Sequence, residues 1–452
     1  MLNQTIISLG IFLAAAPETA PRPVPLTRPE MKRLIEDVKV RTPRIPMPEL
    51  TDADRQALGD RADDYEAVIR HRYTPWVETR RTPRASGPNV EQEPGMTLSY
   101  AFKTQLFWIV SRANNCQYCI GHQESKLLNA GLTEDQIAAL DGDWSRHTPA
   151  EQAAFAFARK LSFQPYAIGD ADIQSLRRFY TDLQILEMVI SVSGNNVSNR
   201  WKEAVAVPQR KDEGGYSRNT EDLSLPRGTY LTPTSASFEK LISNVAPIIF
   251  DTATGAPTRD TISRRPALES RTDVERALTQ ARSRKARLPL VEEHEARTNF
   301  AGAAPEGPLP QWVRLLANFP REGTRHLNTI RLADEKSDLS PLLKGQLAWI
   351  VARQDGAWYA VGHAYKRLRD AGQTDEQIYA LDGDWHEFSP RDQSLFTVAR
   401  KLAASPVILT DADVTNAVEL AGPRDVVQSI HYTTSRSLFD RITEAAGLQL
   451  EN

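Results

Sequence analysis

Ala130–Trp144 reads AGLTEDQIAALDGDW, and Ala371–Trp385 reads AGQTDEQIYALDGDW. The chain repeats itself elsewhere at the same spacing. Lys103 begins KTQLFWIVSR and Lys344 begins KGQLAWIVAR, so Lys103 to Lys344 and Trp144 to Trp385 share one offset of 241 residues. The register continues through Ala158-Arg159-Lys160-Leu161 against Ala399-Arg400-Lys401-Leu402, Pro165 against Pro406, and more weakly to Arg200 against Arg441. A period this long reads as a duplicated domain, not as a solenoid of short units.

Each copy carries helical signals. In Gln105–Ala113 the apolar Leu106, Ile109 and Val110 fall at helical spacing. Thr133 with Gln136, and Thr374 with Gln377, form capping boxes. Thr148-Pro149-Ala150-Glu151 supplies an N-cap, a first-turn proline and a glutamate at the third position. Phe155, Phe157, Ala158 and Leu161 then offer a core face, and Leu183–Val192 is apolar enough to be buried. No run alternates with the period of a strand. The expectation is an all-α protein of short helices, two tandem copies packed as a pseudo-dimer.

The domain boundaries follow from that register. Residues 1–48 form a proline-rich segment with a signal-like start, of which Pro17–Pro48 is expected to wrap the surface or be partly disordered; residues 49–207 form the first domain and residues 285–452 the second. Between them, 208–284 is expected to be linker and surface excursion, since Pro208–Ser237 is rich in Gly, Pro, Thr and charge. Trp76-Val77 and Trp312-Val313 are candidates for equivalent entry points to the two repeats.

With 452 residues, 55 Lys and Arg against 58 Asp and Glu, and a net charge of −3, the chain lacks the basic footprint of a general nucleic-acid binder. No stretch reaches the roughly 18 apolar residues needed to span a bilayer. Ile6–Ala16 (IISLGIFLAAA) has the length of a signal-peptide core, yet the first basic residue is Arg22. The cytoplasm is the expected location, with export the alternative.

Both cysteines lie in Asn115-Cys116-Gln117-Tyr118-Cys119-Ile120-Gly121-His122. If a helix starts here, Cys119 and His122 share a face, and Cys116 sits near the positive end of the helix dipole. Amide dipoles and an imidazolium favour the thiolate, which is the nucleophile. Two thiols at this spacing can attack an electrophilic oxygen or sulfur and then close on each other. Two blander readings stand beside this one: two buried small hydrophobes, or a zinc site using Cys116, Cys119 and His122, for which no second ligand pair exists. In the second copy Ala357 and Ala360 stand at the cysteine positions, while His363 keeps the histidine. The Asp141-Gly142-Asp143-Trp144 and Asp382-Gly383-Asp384-Trp385 turns read as structural, each with a tryptophan anchor. Arg159 and Arg400 read as cations complementing helix C-termini. Asn195, Asn196 and Asn199, opposite Arg436, Ser437 and Asp440, are candidate pocket residues.

The run Ser111–His122, with the helix start at Gly131-Leu132-Thr133, resembles the carboxymuconolactone decarboxylase and alkylhydroperoxidase D-like superfamily. The resemblance covers Phe102 to about Trp201 and, through the repeat, Lys344 to about Ile442. It implies a thiol peroxidase that needs no cofactor or metal. Cys119 attacks a small hydroperoxide, Cys116 resolves the sulfenic acid as a disulfide, His122 relays protons, and an unidentified dithiol partner reduces the bond. Helical contacts between subunits make a homo-oligomer a further expectation. The dipole argument alone favours Cys116 as the low-pKa thiol, so residue chemistry and resemblance differ on the nucleophile. Two departures are visible. Thr104 stands where such peroxidases carry a glutamate, and Gln105 beside it cannot act as a base. His122 also follows the second cysteine by three residues, not four. A non-redox decarboxylase-like enzyme and an inactive helical binding scaffold are the competing readings.

Overall fold

Every regular element among the described residues is a helix, and most of the α-helices start at a threonine or serine cap. The computed structural model describes residues 20–25, 27–77, 92–142, 144–209 and 268–451. The Ile6–Ala16 segment, Asp143 and most of the expected linker lie outside these residues. The first half contains α1 (Arg28–Asp37), α2 (Asp52–Leu58), α3 (Tyr65–Tyr73), α4 (Tyr100–Ala113), α5 (Gln117–Asn129), α6 (Glu134–Ala138), α7 (Pro149–Phe163), α8 (Asp170–Arg177) and α9 (Asp182–Ala204). The second contains α10 (Arg271–Arg282), α11 (Glu293–Asn299), α12 (Gln311–Leu316), α13 (Pro320–Glu335), α14 (Pro341–Asp355), α15 (Trp358–Asp370), α16 (Asp375–Tyr379), α17 (Pro390–Ala403) and α18 (Asp411–Ala445).

The capping boxes at Thr133, Thr374 and Thr148 all form, the last with Pro149 in the first turn. Two elements exceed the expected length. Helix α9 runs 23 residues. Helix α18 spans 35, as two helices meeting at Gly422, whose φ of 79° only glycine adopts without strain. Leu183 is exposed, whereas Ile185, Leu186 and Met188 are fully buried, so the first turn of α9 reaches solvent.

Helices α4, α5, α7 and α9 pack on one another, as do α14, α15, α17 and α18, and α9 lies against α18 between the halves. One apolar core runs through both. Across the α9–α18 seam two buried arginines reach in opposite directions. Arg200 Nη2 donates to Ala403 O at 3.1 Å, and Arg441 Nη2 donates to Ser162 O at 3.1 Å. Arg200 and Arg441, like Ser162 and Ala403, are 241 residues apart. Each arginine thus satisfies an orphan carbonyl at the end of the other half's helix.

Two expectations about the flanks change. Residues 27–48 do more than wrap the surface: Thr27 and Glu30 cap α1, Pro29 sits in the first turn of this helix, and Met31 and Ile35 are buried. The helix packs on α5 so closely that a Cβ on Gly121 would meet Ile35 Cγ2 at 2.9 Å. Likewise α10, inside the stretch read as linker, packs on α15. Trp76 and Trp312 do not occupy equivalent places, because both rings lie against α18, beside His431 and Phe439.

His431 has Trp76 and Trp201 each 6.2 Å away, ring centre to ring centre. Burial, with the Arg70 cation second, lowers its pKa to about 3. The unfolded chain protonates near 6.5, so this histidine stabilises the fold fully above that pH, and the contribution declines as pH falls toward 3. The expected loss is roughly 1.4 kcal/mol per pH unit below about 6.5. His326 and His147 are shifted in the same direction by burial. In thermal melts from pH 7.5 to pH 5, His431→Phe should lose about 2 kcal/mol less stability than the native chain. Equal slopes for the two proteins would remove His431 as a source of acid lability.

Candidate functional site

The turn between α4 and α5 brings the sulfur chemistry to a helix N-terminus. Asn115 takes a left-handed φ of 56°, reversing the chain, and its Nδ2 donates to Arg22 O and Pro23 O at 3.3 and 3.1 Å. Cys116 N donates to Ser111 O at 2.9 Å, which fixes Cys116 as the N-cap of α5. Its Sγ accepts from Cys119 N at 3.3 Å. The two residues are joined as a disulfide, with Cα atoms 5.3 Å apart. Both are buried, at 0% and 4% exposure, and α1 packs on α5, the helix they begin. In the reduced protein this amide, with the helix dipole behind it, favours the Cys116 thiolate.

His122 stands one turn beyond Cys119 on α5, stacked on Tyr118 with ring centres 4.4 Å apart. Lys202 Nζ lies 4.6 Å from the centre of the same tyrosine ring and forms an ion pair with Glu66. Glu66 also accepts from Arg70 Nε at 3.1 Å. Burial raises the Glu66 pKa, but Lys202 and Arg70 outweigh it and hold the carboxylate below its usual range. Sequence reasoning overlooked Tyr118, Lys202 and Glu66 because they come from three elements. Only Tyr118, inside the CxxC, carried a local signal. Thr104 does not substitute for the absent glutamate, since its hydroxyl donates to Tyr100 O at 2.8 Å within its own helix.

The asparagines expected to line a pocket instead make a buried network beneath the dithiol turn. Asn114 Nδ2 donates to Asn196 and Asn199 Oδ1 at 2.9 and 3.1 Å. Asn199 Nδ2 donates to Ser111 Oγ at 3.1 Å, and Arg200 Nη1 to Asn114 Oδ1 at 3.0 Å. Ser405 of the second half donates to the same Asn114 oxygen at 2.9 Å. The network satisfies each amide and holds the turn rigid. Asn195 stands apart from it, half-buried.

The tryptophan turns are structural, as expected. Trp144 and Trp385 have φ of 62° and 65°, and each donates Nε1–H to a carbonyl four residues back at 2.8 Å. Arg112 and Arg353 pair with Asp141 and Asp382. The dipole reading of Arg159 and Arg400 gives way to stacking. Their guanidinium carbons lie 3.9 and 3.8 Å from the indole centres of Trp144 and Trp385. Long side chains reach back along a helix to the preceding turn, which sequence spacing does not reveal.

In the second half the His363 ring lies tilted against Tyr359, 4.5 Å between centres, and meets Glu451 at 3.2 Å, with Ala357 and Ala360 at the cysteine positions. Among the described residues, no three His, Cys, Asp or Glu side chains gather as a metal site. Among them, too, no helix is long and apolar enough to cross a membrane. No curated protein matches the chain. The part that holds the dithiol, His122, the first tryptophan turn and most of α7 does have a recognisable kinship: residues 109–160 match the carboxymuconolactone decarboxylase family.

Proposed function

We propose that this chain is a thiol-dependent peroxidase, a tandem duplicate with one dithiol half (49–207) and one cysteine-free half (285–452). The observation that carries the reading is the Cys116–Cys119 pair closing on the N-terminus of α5, with the Cys116 sulfur on the Cys119 amide. The family match to residues 109–160 supports an enzyme, and the reciprocal Arg200 and Arg441 contacts support a pseudo-dimer.

In the reaction, the Cys119 thiolate attacks the terminal oxygen of a small hydroperoxide. The O–O bond breaks, the alkoxide leaves as alcohol with a proton relayed through His122, and Cys119 becomes a sulfenic acid. The Cys116 thiolate attacks that sulfur and displaces hydroxide, which departs as water. The peroxide has gained two electrons and the thiols have become a disulfide. An external dithiol restores the thiols. The N-cap amide stabilises Cys116 as the thiolate it must be to resolve the sulfenic acid, and as the leaving group when reductant attacks Cys119. Helix position and family pattern are thereby compatible.

The test is thiol counting on reduced protein before and after one equivalent of hydroperoxide. Two thiols should vanish, with a Cys116–Cys119 disulfide found by mass spectrometry. Survival of both thiols in excess peroxide would end the redox reading. One observation favours a non-redox enzyme in that event: a tyrosine–histidine ring contact recurs in the half without thiols.

A further inference from the structure

In the second half, a cavity of about 220 Å³ opens where α13, α14, α15 and α18 meet. Its walls include Ala348 and Ala360, which stand 241 residues after Phe107 and Cys119. Loss of a phenyl ring and a thiol at these positions accounts for the space. A cavity of about 150 Å³ lined by apolar side chains takes benzene, so this one holds an aromatic ring and a substituent. Trp312, Leu327 and Phe439 supply apolar walls.

The polar lining sets Arg331, Arg367 and Arg436 against Asp334, Glu335 and Asp440. Arg367 is paired with Asp334, and Arg331 with Glu335 at 3.1 Å. Arg436, only 8% exposed, forms no ion pair among the described residues. It donates through Nη2 to Ile330 O at 3.0 Å and leaves Nε without a hydrogen bond. Its guanidinium carbon lies 5.0 and 5.4 Å from the ring centres of Tyr432 and Phe439, which hold it in place. Asp440, 1% exposed, lines the same cavity, and its carboxyl meets that of Asp355. Burial, and then the neighbouring Asp355, push its carboxyl well above the usual carboxylate range, toward the neutral form. Asp355 itself is committed to Arg441 at 2.7 Å. Asp334 and Asp440 act on Arg436 through space, yet neither accepts a hydrogen bond from it, and a buried N–H without an acceptor is costly until a ligand oxygen supplies one.

We propose that this cavity binds a small aromatic monocarboxylic acid, with its carboxylate on Arg436 and its ring against Leu327, Ala348 and Ala360, beside the Trp312–Phe439 pair. The site is independent of the dithiol chemistry and gives the cysteine-free half a ligand of its own. Calorimetric titration of the full chain with benzoate should show one saturable site, with the same affinity in oxidised and reduced protein. Benzamide, of like shape but neutral, should bind roughly tenfold or more weakly, and Arg436→Met should weaken benzoate by a similar factor. Ala348→Phe, which refills the space, should abolish binding and keeps the test decisive if Arg436→Met does not fold. Absent benzoate binding, equal binding of benzamide, or benzoate binding unchanged in Ala348→Phe would each overturn the proposal.

Discussion

Cys119→Ser is expected to consume no hydroperoxide, whereas Cys116→Ser should consume one equivalent and stop. The first variant lacks the attacking sulfur, and the hydroxyl in its place is not appreciably ionised near pH 7. In the second, Cys119 is oxidised once but cannot be resolved, so a sulfenic acid accumulates and a dimedone adduct should appear on Cys119 alone. Both variants should lose catalytic turnover to the background rate, and neither can form the Cys116–Cys119 disulfide. The single-turnover behaviour separates the roles. An adduct on Cys116 in the Cys119→Ser protein would reverse them and make the N-cap sulfur, which accepts the Cys119 amide, the nucleophile. Inert thiols in both variants would remove the redox chemistry altogether.

Arg28→Met should destabilise the protein by about 3–5 kcal/mol and expose the dithiol helix. Arg28 is fully buried between Glu124 of α5 and Glu134 of α6. Lys32 meets the same carboxylates at 2.5 and 2.9 Å, and Trp108 Nε1 donates to Glu124 at 3.2 Å. Burial alone would raise the Glu124 pKa, but Arg28 and Lys32 together bring it down to about 2. Removing Arg28 leaves a buried carboxylate with only Lys32 to offset it. The variant should therefore melt earlier, and because α1 rests on α5 its reduced thiols should alkylate faster with iodoacetamide. Adding Glu124→Gln should recover part of the loss, since the uncompensated charge goes with it. Sign and pH window follow from the same pair: the contribution is complete above about 4.5 and disappears as pH falls through about 2. A variant as stable as the native chain, with unchanged alkylation, would show that α1 is not clamped this way.

Short-range signals were legible because the physics behind them is local. The capping boxes at Thr133, Thr374 and Thr148 use residues three apart, and each formed as read. The Thr27–Glu30 box and Pro29 announced α1 in the same way, but the many prolines around them concealed the signal. The candidate site divides similarly. Spacing placed Cys116, Cys119 and His122 on one helix end. It could not place Lys202 of α9, which reaches Tyr118, or Glu66 of α3, which pairs with that lysine. Asn196 and Asn199 were noticed as polar residues in an apolar helix, but their satisfaction depends on Asn114 and Ser111 of another element.

By itself the sequence determined the all-helical class, the 241-residue register and the pairing of cysteines at a helix start, because each is written in residues a few positions apart or in direct self-similarity. Tertiary packing alone brings α1 onto the dithiol helix, carries arginines across between the halves, and leaves a cavity in the second half beside a guanidinium whose Nε–H lacks an acceptor. Those outcomes depend on which side chains meet across hundreds of residues of chain. Burial then sets their charge states and their cost, and no local pattern encodes burial.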